Sequence, residues 1–335
     1  MKNLYKMMFT LSMISGTLIA VSSNSWMNMW IGMEVNLLSI IPLMSNMKNK
    51  MESEAAMKYF ITQAMASTIF MLAIIIMLSN NETLMWKKMS STIMDLALLT
   101  KMGAAPFHFW FPEIMEGLSW INSTIMLTWQ KIAPMMIFSY SNKSILFMSS
   151  IIVLSMMISG LMGINQTSMR KILAYSSINH IGWMISTMLT NQALWMIYFS
   201  IYTLMTINMT MMFKMTNVYS MEQMINSMNK SKTTKMMFSL NFLSLGGIPP
   251  LIGFFPKWIT INSLIQENMY LLTLTMIMLT LMTLAFYMRI TFTTGIMVMS
   301  QTTLMNKKPN NQKMIISNFI VLSTLSMCPM LLNFI

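Results

Sequence analysis

Stretches of about twenty predominantly apolar residues recur along almost the whole chain, and they leave few folds open. In hydrocarbon no water satisfies backbone N–H and C=O groups, so a spanning segment must be a helix or a strand of a closed barrel. A helix needs about 20 residues to cross a core about 30 Å thick, whereas a barrel strand needs only about half that number. Helical spans are therefore expected near 3–22, 26–45, 56–78, 91–112, 122–140, 144–163, 170–189, 192–214, 235–265, 269–290 and 314–333. Composition agrees: of 335 residues 55% are hydrophobic and 9% charged, with mean hydropathy +0.59. Soluble domains carry about 25% charge. The reading is an all-α polytopic membrane protein of about eleven transmembrane helices, with no room for a sizeable soluble domain.

The net charge of +12 would point to nucleic acid in a soluble chain. Here most of the cations lie in short connections between apolar runs, where they set orientation instead. With odd-numbered spans leaving the amino-terminal side, that side holds Lys2, Lys6, Lys48, Lys50, Arg170, Lys171, Lys214, Lys230, Lys232, Lys235, Lys307, Lys308 and Lys313. The opposite side holds Lys87, Lys88 and Lys143. The excess places the amino terminus on the matrix or cytoplasmic side. Lys58 and Arg289 lie near helix ends, where long side chains reach the headgroups. Ala20-Val21-Ser22 after the first apolar run has the form of a signal-peptidase site, but a retained first span is the expectation. The lone cysteine, Cys328, excludes an internal disulfide framework and a cysteine-held cluster. There is no Walker loop, no dinucleotide glycine fingerprint and no metal-ligand cluster, so neither ATP hydrolysis nor a redox centre is expected.

What remains are ionisable residues and helix breakers inside membrane-grade segments. The run Leu98-Leu99-Thr100-Lys101-Met102-Gly103-Ala104-Ala105-Pro106-Phe107-His108-Phe109-Trp110 holds a lysine, a histidine, a glycine and a proline. A cation in hydrocarbon costs a few kcal/mol on the most lenient scales, and proline removes a donor and clashes with the preceding turn. A break near Gly103 and Pro106 is tolerable only where protein or a water-filled cavity satisfies the backbone. The segment 235–265 is too long for one straight helix, and Gly246, Gly247, Pro249 and Pro250 should break it too. Lys257 follows that second break. Lys131 sits inside the fifth segment, with Pro134 expected to loosen the helix beside it. Breaks in two parts of one bundle point to a repeated transporter fold.

Glu34 lies in the middle of the second segment, too far from any loop to be solvated. A lone carboxylate there turns neutral unless a cation pairs with it, and Lys101 is a partner of the right type. A lysine whose carboxylate neighbour moves between near and far has a switchable proton affinity, and the two titrate as a coupled pair. His180, within Ser176-Ser177-Ile178-Asn179-His180, reads as a relay between such sites, because imidazole exchanges protons near neutral pH. His108 reads equally as a relay or as a hydrogen-bonded structural residue. Asp95, Glu113 and Glu116 are expected as interfacial charges.

Four motifs in order carry a resemblance: Lys101-Met102-Gly103-Ala104-Ala105-Pro106-Phe107-His108-Phe109-Trp110, then Trp129-Gln130-Lys131-Ile132-Ala133-Pro134, then Arg170-Lys171-Ile172-Leu173-Ala174-Tyr175-Ser176-Ser177 with His180, then Leu243-Ser244-Leu245-Gly246-Gly247-Ile248-Pro249-Pro250 through Lys257-Trp258. Together they resemble the antiporter-like membrane subunits of respiratory complex I, mitochondrial NADH:ubiquinone oxidoreductase, in the subunit-2 family. The 51 methionines fit an invertebrate member encoded by an AT-rich mitochondrial genome. The resemblance implies one antiporter-like transmembrane domain over 1–335, with inverted five-helix repeats near 26–163 and 170–313 and a last helix near 314–333. It implies Glu34 as modulating carboxylate, Lys101 as its paired lysine, Lys131 as central relay and Lys257 as the lysine facing the exit half-channel. It further implies residence in the mitochondrial inner membrane with a matrix-side amino terminus. Neighbouring membrane-arm subunits and lipids are the partners it implies. NADH, FMN, Fe–S clusters and ubiquinone would belong to partner subunits, with none bound by this chain. Two other readings share the same features: a stand-alone cation/proton antiporter, and a structural spacer of the membrane arm.

Overall fold

The computed structural model describes residues 2–46, 49–79, 84–141, 144–228, 232–249 and 251–296. Among them the elements are helices, with one isolated antiparallel bridge between Ser168 and Ser220. The expected last helix near 314–333, Pro250 and Cys328 lie outside the described residues. The chain divides into two compact units, Met1–Ser144 and Ile145–Ile335.

The first unit contains α1 (Lys2–Ser22), α2 (Trp26–Met44), α3 (Lys50–Leu78), α4 (Leu84–Met102), α5 (Trp110–Gly117), α6 (Trp120–Leu127) and α7 (Trp129–Tyr140). Helices α1 and α2 pack backbone to backbone. A Cβ on Gly32 would stand 2.5 Å from the Ala20 nitrogen, and one on Gly16 would stand 2.8 Å from the Asn36 nitrogen. Small residues permit this approach, and in lipid close packing replaces the hydrophobic drive between helices. The outward faces of α1 and α3 carry exposed apolar side chains such as Leu11, Leu18, Met65 and Leu72, which hydrocarbon solvates without penalty.

The second unit contains α8 (Ile145–Ile164), α9 (Met169–Thr190), α10 (Gln192–Thr216), α11 (Met221–Met228), α12 (Lys232–Gly246), α13 (Phe254–Gln266) and α14 (Tyr270–Ile296). Helix α9 is its axis: every residue from Ile172 to Met188 is buried. That explains its composition, since Ser176, Ser177, Asn179 and His180 suit a helix surrounded by protein and would be costly facing lipid. Among the described residues, α1, α2, α3, α8, α10 and α14 are long and apolar enough to cross a membrane. The candidate lysines and His180 lie on the other, polar or interrupted elements, while Glu34 lies on α2.

Helices α4 and α12 end in the same way. Gly103 (φ 75°) donates its N–H to Thr100 O at 3.2 Å, and Ala104 donates to Leu99 O at 3.1 Å. Gly247 (φ 79°) donates to Ser244 O at 3.0 Å, and Ile248 donates to Leu243 O at 3.3 Å. Both are Schellman closures, which need a residue at positive φ, so glycine is placed there by backbone sterics. The chain then turns and resumes as a short helix, α5 or α13. These are the discontinuous helices expected from Gly103, Pro106, Gly246 and Gly247.

Candidate functional site

In the first unit, Lys101 occupies the last turn of α4 and is buried, with 8% of its surface exposed. This is the negative end of the helix dipole, where a cation is favoured. Its Nζ contacts the Met33 sulfur at 3.8 Å, and Gln63 Nε2 reaches its backbone carbonyl at 3.5 Å. A cavity of about 20 Å³ adjoins it, lined among others by Asn36, Tyr59, Gln63 and Gln130. That is room for about one water molecule. Trp110, at the start of α5, donates Nε1–H to Thr100 O at 3.1 Å, a second donor to the carbonyl that the Gly103 N–H already reaches.

Glu34 lies midway along α2, half-buried, next in sequence to Met33. Its Oε1 is buried and accepts no hydrogen bond from the described residues. The carboxylate acts electrostatically on both Lys101 and Tyr59. Among the described residues, however, no ion pair within 4 Å joins Glu34 to Lys101, unlike Lys58, which pairs with Glu54 and Glu113 at 3.1 and 3.0 Å. Glu34 and Lys101 are therefore neighbours through the field, with the Met33 sulfur on the lysine.

Lys131 is 2% exposed and lies in the first turn of α7, at the opposite dipole end from that of Lys101. Its ammonium stands 5.6 Å from the Phe111 ring centroid, a cation–π distance. The helix is not broken at Pro134, which lies inside α7. The interruption comes six residues earlier, at Thr128 (φ −114°, ψ −73°) between α6 and α7. Within α7 the missing proline N–H leaves the Gln130 carbonyl, one residue before Lys131, without its helical donor.

In the second unit, Lys257 is 6% exposed and lies in the first turn of α13. It reaches back to the end of α12, where its Nζ donates to Gly246 O at 2.8 Å. The ammonium also stands 5.9 Å from the Trp183 ring. Gly247 is in contact with it: a Cβ there would meet Lys257 Cδ and Nζ at 2.9 Å. Pro249 lies exposed in the turn that follows. Three residues before Trp183 on α9, His180 has Nδ1 2.9 Å from the Tyr198 hydroxyl and its ring centroid 5.0 Å from that of Tyr202.

The other ionisable residues read from the sequence are placed as follows. Asp95, expected at the interface, is 1% exposed. Arg289 donates to Ile164 O at 3.0 Å, capping α8, and Lys58 pairs with two carboxylates. His108 Nδ1 lies 3.2 Å from Pro106 O, inside the turn between α4 and α5. Asn36, Tyr59, Gln63 and Gln130 were not legible as site residues, because no motif marks an amide that meets its partner only across helices.

Each unit thus buries at least one lysine beside an interrupted helix, an arrangement that can hold and release a proton away from water. That is the architecture of antiporter-like membrane proteins. A chain of respiratory complex I from Thermus thermophilus, solved with bound aureothin, superposes with TM-score 0.86 at 20% identity, covering 98% of this chain and 79% of that one. The family described as NADH:quinone oxidoreductase/Mrp antiporter, transmembrane, matches residues 23–283. NADH-ubiquinone oxidoreductase chain 2 of Anopheles gambiae is 45% identical, with 99% of both chains covered. The protein of the same name from Locusta migratoria is 44% identical over 88% of this chain and 87% of its own. The chain belongs to the NADH-ubiquinone oxidoreductase chain 2 family, and it is a multi-pass membrane protein.

Proposed function

We propose that this chain is a core membrane-arm subunit of a proton-pumping NADH:ubiquinone oxidoreductase. In this reading it moves protons through Glu34, Lys101, Lys131, His180 and Lys257, driven by quinone reduction elsewhere in the complex. The observation that carries the reading is the repeated one: a buried lysine at the carboxyl end of an interrupted helix, Lys101 within α4 and Lys257 on the Gly246 carbonyl of α12. Helix ends of this kind bind cations where a membrane helix is discontinuous, and a buried lysine is a functional group by default.

The chemistry follows from the neighbours. Glu34 stabilises the Lys101 ammonium when near and ionised, and ceases to do so when protonated or displaced. A proton leaving Lys101 then has Lys131 as the next basic group of the same unit, and Lys257 serves the second unit. NADH, FMN, Fe–S clusters and ubiquinone belong to partner subunits in this reading. The complex sits in the mitochondrial inner membrane beside other membrane-arm subunits and structural lipids, with the amino terminus in the matrix.

The test is a native gel of mildly solubilised mitochondrial membranes, stained for NADH oxidation and probed for this chain. Co-migration with a very large NADH-oxidising band is expected. A small species without that activity would favour a stand-alone antiporter. Lys101→Met with full proton yield per NADH would favour a spacer.

A further inference from the structure

The cavity beside Lys101 is bordered by a hydrogen-bonded set that joins three helices. Asn36 Nδ2 donates to Gln130 Oε1 at 3.0 Å, and Gln130 Nε2 donates to Asn36 Oδ1 at 3.0 Å. The Tyr59 hydroxyl donates to the same Gln130 Oε1 at 3.2 Å. All three residues are buried, at 4%, 4% and 9% exposure for Asn36, Tyr59 and Gln130. Asn36 lies two residues beyond Glu34 on α2, and Gln130 immediately precedes Lys131 on α7. Tyr59 lies on α3 one turn before Gln63, which touches the Lys101 carbonyl.

A reciprocal amide pair has a second setting. If both amides turn over, the two mutual hydrogen bonds survive, because each side chain still offers one donor and one acceptor. What changes is the group facing Tyr59. In the observed setting an oxygen faces the hydroxyl, which donates. In the other an NH₂ group faces it, so the hydroxyl accepts and its proton turns elsewhere. Tyr59 lines the same cavity as Lys101. The charge on Lys101 therefore biases which setting is lower in energy, as a ligand biases a two-state equilibrium.

We propose that Tyr59, Gln130 and Asn36 are positioning residues that form a two-setting hydrogen-bond switch on the cavity that Lys101 lines, so that the setting of the amides and the charge on Lys101 are coupled. The switch rests on the proposed function, in which Lys101 carries protons. A group that serves packing alone would set the amount of folded chain. A switch sets what each assembled complex does.

The test uses the intact complex in mitochondrial membranes carrying Tyr59→Phe, Gln130→Met, the swapped pair Asn36→Gln with Gln130→Asn, and Lys101→Met. Assembled complex is quantified on native gels, and NADH-driven turnover and protons per NADH are measured per assembled complex. Tyr59→Phe is expected to assemble, with proton-coupled turnover about fivefold lower, the size of one lost neutral hydrogen bond expressed in a rate; Gln130→Met, which removes three such bonds, is expected to assemble with a larger loss. The swapped pair restores the reciprocal amides and is expected to recover most of the loss. Unchanged turnover and proton yield per complex in Tyr59→Phe and Gln130→Met, with Lys101→Met defective, would overturn the switch alone. So would a loss that the swapped pair does not recover, since altered packing would then account for it. Full proton yield in Lys101→Met would instead overturn the underlying function.

Discussion

Gly247→Ala is the sharpest test of how the second break works. The backbone there is at φ 79°, where an L-residue with a Cβ costs about 1–2 kcal/mol. The new methyl would lie 2.9 Å from Lys257 Cδ and Nζ and 3.1 Å from Cε, closer than side chains tolerate. The obstacle is the flexible end of a lysine, so the lysine moves and the backbone stays. Moving it removes the 2.8 Å bond from Nζ to Gly246 O, and a hydrogen bond to a charged group contributes about 1.5–3 kcal/mol. The combined penalty of about 2.5–5 kcal/mol is below a typical total stability of about 5–15 kcal/mol, so the helix forms while Lys257 loses its seat. Gly103→Ala is the matched control: φ is 75° and the new Cβ would meet Phe111 and Trp110 side-chain atoms at 3.3 Å, with no lysine displaced. Turnover and protons per NADH, normalised to assembled complex on a native gel, are expected to fall at least about tenfold in Gly247→Ala, the rate equivalent of 1.5 kcal/mol. Gly103→Ala is expected to fall much less. A Gly247→Ala complex with wild-type turnover and proton yield would refute the reasoning, as would a structure of it with Lys257 still on Gly246 O.

Three further outcomes are expected. Lys101→Met should leave assembly near normal, since the hydrogen-bond contact that Nζ gives up among the described residues is a weak one to the Met33 sulfur and methionine fills a similar volume, while proton yield per NADH falls; both are read from the same membranes. Gly32→Val should cost about 3 kcal/mol or more through overpacking, because the obstacle at 2.5 Å is the Ala20 backbone nitrogen; the steady-state level of the chain in the membrane reports it. Glu113→Gln should leave assembly and turnover unchanged, because the Lys58–Glu113 pair is exposed, at 44% and 59% of the two side chains, and exposed pairs contribute little.

The two glycine-closed breaks, the three buried lysines and the polar axis helix were legible in the sequence because each is a local exception to a strict rule. In lipid the backbone must be satisfied and charge must be sheltered, so a glycine, a proline or a lysine in an apolar run marks its own position. Pro134 misled for a related reason. Its sequence signal is a helix breaker, but α7 runs through it and the interruption lies at Thr128.

The sequence by itself determined the solvent of this protein, its helical class, the places where helices had to break and the residues capable of carrying charge inside. These follow from hydropathy, backbone sterics and ionisation, which are properties of short stretches. The tertiary structure decided which of those residues meet. Asn36 pairs with Gln130 across 94 residues and Tyr59 reaches the same amide across 71, Lys257 folds back onto Gly246, and Glu34 acts on Lys101 without an ion pair within 4 Å. Such contacts depend on the rotation and depth of each helix against its neighbours, and packing of whole helices fixes those.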